Sequence, residues 1–186
     1  MDYRAHPSIA LAARAMHGGR VVAYPTEAVW GLGANPFNER AVDTILELKN
    51  RAREKGLILV AANVSQFDFL LQNLPSDKLE LLASSWPGPH TWLVPHHNLI
   101  PAWVCGQFDT VALRVSAHPV VKALCEAFGG AIVSTSANPQ GLAPARYGFK
   151  ARLYFGSSVE YCAGQVNHHA QPSQIRDLSS GQLVRA

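Results

Sequence analysis

With 186 residues, 48% apolar side chains, 16% charged ones and a net charge of +3, the chain can build one hydrophobic core without metal or disulfide staples, and its composition excludes a disordered or fibrous protein. No apolar run approaches the ~18 residues that a membrane helix needs; Arg14 interrupts the one apolar stretch near the start, and three cysteines with no CxxC argue against a disulfide framework or zinc knuckle. The expectation is one α/β domain over residues 1–186 in a reducing cytoplasm, with a small basic excess that suits an anionic ligand or RNA without requiring either.

In chain order, "SIALAARAMH" puts Ile9, Ala12, Ala13 and Met16 on one helical face behind a Ser8 cap, and Gly18-Gly19 end it. "RVVAYP" is a short β-branched strand stopped by Pro25, and "TEAVWGLGANP" reads as a loop leaving its end. Asn38 caps the next helix, with Val42, Ile45 and Leu46 inward, which runs out near Asn50 into "ELKNRAREKG". "LILVAA" is apolar throughout, as a strand covered on both faces should be.

Helices are predicted over 65–74 and 76–84, each started by a serine, and "WPGPHTWLVP" reads as a turn feeding a strand. "TVALRVS" alternates as a half-buried strand, "HPVVKALCEAF" is a helix closed by Gly129-Gly130, and "AIVSTSANPQG" is a strand that dissolves into a polar turn. A helix over 145–153 and short strands at "VEYCAG", "SQIRDL" and "QLVRA" complete a mixed sheet flanked by helices.

Hydroxyl and amide groups gather at three strand ends: Thr26, the set Ser134, Ser136 and Asn138, and Ser173. Turn formation explains any one of them, but open α/β sheets also collect ligands there. Lys49, Arg51, Arg53 and Lys55 fall within seven residues; a solvated helix end explains such a cluster, whereas its position between a helix and a central strand places it beside a crevice. Neither a Walker nor a Rossmann fingerprint is present, nor HExxH or G-x-S-x-G, so phosphate binding by those standard loops, zinc hydrolysis and serine hydrolysis are not indicated, and no metal ligands are assigned. Trp30, Trp86, Trp92 and Trp103 read as core or groove wall.

The stretches "AYPTEAVWGLG", "LKNRAREKGLILVAAN", "WPGPHTWLV", "VALRVSAHP", "STSANPQG" and "PSQIRDL" resemble the YrdC family, in the same order and across nearly the whole chain. The length is similar to that of the family's short bacterial form. The resemblance implies a twisted, mixed parallel and antiparallel open sheet around a large basic concave cavity. It also implies a nucleotidyltransferase reaction in which L-threonine, bicarbonate and ATP give threonylcarbamoyl-adenylate and diphosphate. Partner proteins would then use the adenylate to modify the adenosine beside the anticodon of tRNAs reading codons that begin with A.

Carried over by position, the resemblance implies catalytic roles for Lys49, Arg51, Ser136 and Asn138, and a substrate side of Thr26, Arg114, Ser136 and Ser173, with Arg114 facing the threonine carboxylate. The nucleotide side would comprise Lys49, Arg53, Thr110, Ser134, Asn138 and Arg185, with Mg²⁺ arriving on ATP and held largely by phosphates and water. The chain departs from the family pattern at Ala28, Trp30, Ala52, Ser116 and Gln174. An RNA-binding or ribosome-maturation protein that uses the basic cavity for backbone phosphates is the alternative, and direct RNA contact stays open beside the enzyme reading.

Overall fold

The computed structural model describes residues 2–185. Nine strands form one sheet in the order β7-β1-β2-β6-β3-β5-β4-β8-β9. In chain order they are β1 (Val22–Pro25), β2 (Trp30–Gly33), β3 (Ile58–Ala61), β4 (His90–Pro95), β5 (Thr110–Val115), β6 (Ile132–Ser136), β7 (Glu160–Tyr161), β8 (Gln174–Asp177) and β9 (Leu183–Arg185). Pairing is mixed: β3–β5, β4–β8 and β1–β7 are parallel, and the other neighbours are antiparallel. The helices are α1 (Pro7–His17), α2 (Glu39–Lys49), α3 (Asp68–Leu71), α4 (Ser76–Ser85), α5 (Ala102–Cys105), α6 (Pro119–Phe128) and α7 (Gly148–Phe155).

Because successive side chains on a strand point to opposite faces, each strand feeds two layers. Leu59, Ala61, Val111, Leu113, Val115 and Val133 enter the larger core, which includes buried side chains of α2, α3, α4, α5 and α7. Val22, Tyr24, Val60 and Ile132 face the other way and pack with α1 and α6. This is why "LILVAA" is apolar at every position, as expected. Over β5 the second face instead carries Thr110, Ala112 and Arg114, all partly exposed, and these line an open cavity.

Several local expectations are corrected. "TEAVWGLGANP" is not all loop: residues 26–29 form a tight connection and β2 pairs directly back on β1 with Tyr24 opposite Gly31. The two glycines make this possible, because Tyr24 lies across them: a Cβ on Gly33 would sit 2.8 Å from Tyr24 Cε1 and 2.8 Å from the Val133 carbonyl oxygen. α1 is capped by the His6 side chain rather than by Ser8, which lies inside the helix and accepts from the Ala163 amide. The helix predicted over 65–74 is a 3-10 turn at Val64–Phe67 followed by the short α3, and Ser76 begins α4 without a side-chain cap. Asn38 does cap α2, through its carbonyl oxygen and the Ala41 amide, and Gly129 ends α6 in the left-handed conformation.

Trp30, Trp86 and Trp92 are buried core residues and Trp103 packs against that core. Cys105, Cys125 and Cys162 are free and buried. Among the described residues no helix is long and apolar enough to cross a membrane, and no three His, Cys, Asp or Glu side chains converge as metal ligands would.

Candidate active site

The cavity encloses about 760 Å³, and the central strands β3, β5 and β6 form its floor with both apolar and polar side chains. Cross-strand register builds that floor: Val60 is opposite Arg114, and Ile58 is opposite both Ala112 and Ser134. The C-terminal ends of β1, β6 and α2 supply one wall, and the segment from Pro172 through β9 supplies another.

Lys49, the last residue of α2, is only 4% exposed. Its Nζ donates to the carbonyl oxygens of Ser136 and of Asn138, the latter at 2.8 Å, while its own carbonyl accepts from the Gln140 amide at 2.7 Å. One lysine thus ties the polar turn after β6 to the end of α2, and a lysine has a third donor left for a ligand. Burial, with the Arg51 charge adding to it, pulls this ammonium from the usual value of 10.5 down to about 8.

Arg51 donates Nη2 to the Gly56 carbonyl at 2.9 Å and more weakly to that of Lys55, and its buried Nε has no partner among the described residues. Burial and then the Arg185 charge lower its pKa. Lys49, Arg51 and Arg185 therefore crowd one end of the cavity, and none of them has a salt-bridge carboxylate among the described residues. Asn138 lies beside them; its amide nitrogen donates to the carbonyls of Pro139 and Leu142, leaving Oδ1 buried without a partner among the described residues.

On β5, Arg114 donates Nε to the Gly88 carbonyl at 3.2 Å and brings Nη2 within 2.8 Å of Glu27 Oε2. Thr26 donates its hydroxyl to the Val29 carbonyl at 2.7 Å, closing the β1–β2 turn. The Tyr24 hydroxyl, fully buried and with its pKa driven far above the usual tyrosine value by desolvation, donates to Ser134 Oγ at 2.8 Å. The Ser173 and Thr91 hydroxyls pair at 2.9 Å beneath the far wall.

Of the residues expected at the site, Thr26, Lys49, Arg51, Thr110, Arg114, Ser134, Ser136, Asn138, Ser173 and Arg185 all border this one cavity. Arg53 does not: it lies on the 3-10 turn Arg53–Lys55, paired with Glu39 at 2.9 Å and with Asp43. Lys55, from the same basic run, borders the cavity instead, with Nζ 3.5 Å from Gln140 Oε1. Substituting Arg53 by Ala is accordingly expected to leave ligand affinity and the thermal midpoint near wild type, because exposed ion pairs contribute little. Lys55→Ala should weaken phosphate binding at low salt; titration of both variants with pyrophosphate checks the ranking. Sequence reasoning also left Glu27, Ser116, Gln140 and Phe108 out of the site; the signal for Glu27 was its place beside Thr26 at a strand end.

A cationic, largely carboxylate-free cavity at strand ends, with fixed donors, defines a protein that binds anionic substrates on an α/β sheet. Residues 14–186 match the profile of the Sua5/YciO/YrdC family, described as "Telomere recombination", and the chain belongs to that family. It is 55% identical to threonylcarbamoyl-AMP synthase of Pseudomonas fluorescens strain Pf0-1, over 94% of each chain, and 50% identical to the protein of that name from Saccharophagus degradans, over 100% of this chain and 97% of the other. The structure of P. abyssi Sua5 complexed with L-threonine is similar at a TM-score of 0.85 and 32% identity, covering 94% of this chain. The chain spans about half (52%) of that longer protein. E. coli YciO shares the fold, with a TM-score of 0.81 at 21% identity over 95% of this chain and 87% of that one.

Proposed function

We propose that this chain is a threonylcarbamoyl-AMP synthase. The observation that carries the reading is the grouping of Lys49, Arg51 and Arg185, crowded and without counter-charge among the described residues, in the same cavity as a separate arginine seat at Arg114. The first group suits a triphosphate, and the second suits an amino-acid carboxylate, for which a planar guanidinium is well shaped. The names of the relatives, and the L-threonine held by P. abyssi Sua5, support the same assignment.

In this reading, L-threonine and bicarbonate condense to the N-carboxylated amino acid with loss of water. A carboxylate oxygen of that group attacks the α-phosphorus of ATP, the bond to the bridging β-phosphate oxygen breaks, and diphosphate leaves. Two polyanions must be brought together, so fixed cations and donors supply the rate enhancement through positioning and charge stabilisation. Lys49 and Arg51 would face the phosphates, Ser136 and Asn138 the reacting groups, Arg114, Thr26 and Ser173 the threonine, and Thr110, Ser134 and Arg185 the nucleotide. Mg²⁺ would travel with ATP: Glu27 is the one carboxylate among the described lining residues, and Ser116, Ala117 and Arg114 already engage it, so these residues do not fit a protein-held metal. The adenylate would pass to partner proteins acting on tRNA. A cavity for RNA backbone phosphates is not favoured, because Lys49 is sunk in the wall instead of being presented on an open surface.

The test is diphosphate release by the purified chain. It is expected only when L-threonine, bicarbonate and ATP are all present; release without threonine, or none, overturns the proposal. A second expectation concerns pH. The Lys49 cation is present below about pH 8 and lost above it, so ATP affinity should fall as pH rises through that value, and the break should vanish in Lys49→Met. The stability sign is the opposite: between about 8 and 10.5 the unfolded chain holds the extra proton, so this residue's contribution makes the fold more stable as pH rises through that window.

A further inference from the structure

We propose that the outer face of α7 docks an acidic partner protein, the one that consumes the product of the adjoining cavity. The inference rests on the reading of that product as threonylcarbamoyl-adenylate and adds to it the surface at which the next reaction is coupled.

α7 is apolar on two opposite sides. Ala151 and Phe155 are buried in the larger core, and Gly148 lies so close to Trp30 that a Cβ there would sit 2.9 Å from the indole. Opposite them, Phe149 and Leu153, one turn apart, are 70% and 72% exposed, the most of any large apolar side chains among the described residues. Leu142 and Tyr147, just before the helix, are half exposed. A lone exposed apolar side chain is ordinary, but a surface helix turns polar residues outward, and a helix that is apolar on both sides is covered on both. Lys150 and Arg152 flank the outer stripe, one on each side.

The stripe is joined to the cavity. Residues 138–144 form a loop clasped at its base, where Ala145 gives its amide to the Ala137 carbonyl at 3.1 Å and accepts from the Trp30 amide at 2.7 Å. Gln140, Gly141 and Pro144 of this loop are exposed and line the cavity, which places them on its rim. Tyr154 of α7 donates its hydroxyl to the Ala143 carbonyl at 3.0 Å, tying helix to loop. A protein seated on α7 therefore stands at the cavity mouth. The product is a mixed anhydride of a carbamic acid and a phosphate, open to attack by water, so a consumer at the mouth shortens its exposure to solvent.

Charge selects the occupant. Between Glu126 and Glu160 the sequence holds Arg146, Lys150 and Arg152 and no Asp or Glu. Two copies joined symmetrically by this face would set those cations against their own counterparts. RNA would meet the charge, but Leu142 and Leu153 have no ring to stack on a base, and the Tyr147 ring already stacks on Phe149, with centroids 5.5 Å apart. A protein surface that offers an apolar anchor rimmed by carboxylates matches both the stripe and its flanks.

The experiment combines the full chain with tRNA and the purified proteins that pass the threonylcarbamoyl group to it, and follows diphosphate and modified tRNA separately. Leu153→Glu should release diphosphate at the wild-type rate, which also reports that it is folded. With the chain limiting, it should lower tRNA modification by about fivefold or more, the loss of one interface anchor, and Phe149→Glu should repeat this. A large excess of the inactive Lys49→Met chain should compete with wild type for the partner and suppress modification. Lys49→Met carrying Leu153→Glu should not compete, and Lys49→Met carrying Lys150→Glu should compete poorly, because one flanking charge then opposes an acidic partner. Wild-type levels of tRNA modification by Leu153→Glu overturn the proposal, as does suppression by all competitors alike or by none. So does a wild-type dimer that Leu153→Glu dissolves, or binding of tRNA alone that Leu153→Glu abolishes, since these put a second copy or RNA on the face. Failure of the wider reading shows separately, as wild type that releases no diphosphate from threonine, bicarbonate and ATP.

Discussion

Lys49→Met is expected to lower kcat/KM for threonine-dependent diphosphate release by about 10²–10³-fold, the range for losing one preorganised charge-stabilising donor. Methionine keeps the length and apolar stem and removes only the ammonium. Two consequences separate. On the proposed assignment the reacting phosphates lose a cation, and the carbonyls of Ser136 and Asn138 lose their donor. Leaving both carbonyls without a partner would cost roughly 1–3 kcal/mol each, offset in part because a buried cation no longer has to be desolvated. The measurements are steady-state diphosphate release and thermal unfolding of the same variant. Activity within tenfold of wild type would mean that the phosphates bind elsewhere.

Gly106→Ala should be the most destabilising single methyl addition in the chain. Gly106 has φ +67 and ψ −133, a conformation open to glycine and strained for any L side chain. A Cβ there would lie 2.5 Å from the Glu54 carbonyl oxygen and 2.7 Å from the Gly56 nitrogen, both backbone atoms with no rotamer to change. Strain and overpacking together should cost about 2–5 kcal/mol, lowering the thermal midpoint by roughly 5–15 °C. Gly129→Ala is the control: φ is +85 and nothing lies within 4 Å of its Cβ, so only the backbone term of about 1–2 kcal/mol applies. Equal losses in the two variants would show that the close approach carries no weight. The effect should reach ligand binding as well, because the carbonyl that holds Arg51 belongs to Gly56, which rests on this contact.

The cation and hydroxyl groups at strand ends were legible because they follow runs whose burial is plain: Lys49 after the inward face of α2, and Ser134 to Asn138 after "AIV". β2 was not legible, since "WGLG" offers two large residues and two glycines, and the glycines are there for the Tyr24 ring on the next strand rather than for any local preference. The basic run misled for a geometric reason. Lys49, Arg51, Arg53 and Lys55 alternate as if extended, but the chain passes through the left-handed Asn50 (φ 49) and then a 3-10 turn, which carries Arg53 away from the cavity and returns Lys55 to its edge. Glu39 and Asp43, one helical turn apart on α2, are the partners that make Arg53's outward position stable; their spacing was visible, but the turn that brings Arg53 to them was not.

The hydroxyl groups on the cavity wall differ in where their single hydrogens are committed. Thr26 has given its hydrogen to the Val29 carbonyl, so toward a ligand it can show only lone pairs. Ser134 receives the hydrogen of Tyr24, which leaves its own free to point into the cavity. The Tyr24 ring, sealed beneath two glycines and with no tendency to ionise, thereby sets the polarity of a group it only touches. One part of the cavity wall is thus set to receive a hydrogen from a ligand, at Thr26, and another to offer one, at Ser134. A ligand that touches both hydroxyls must therefore bring a donor to Thr26 and an acceptor to Ser134.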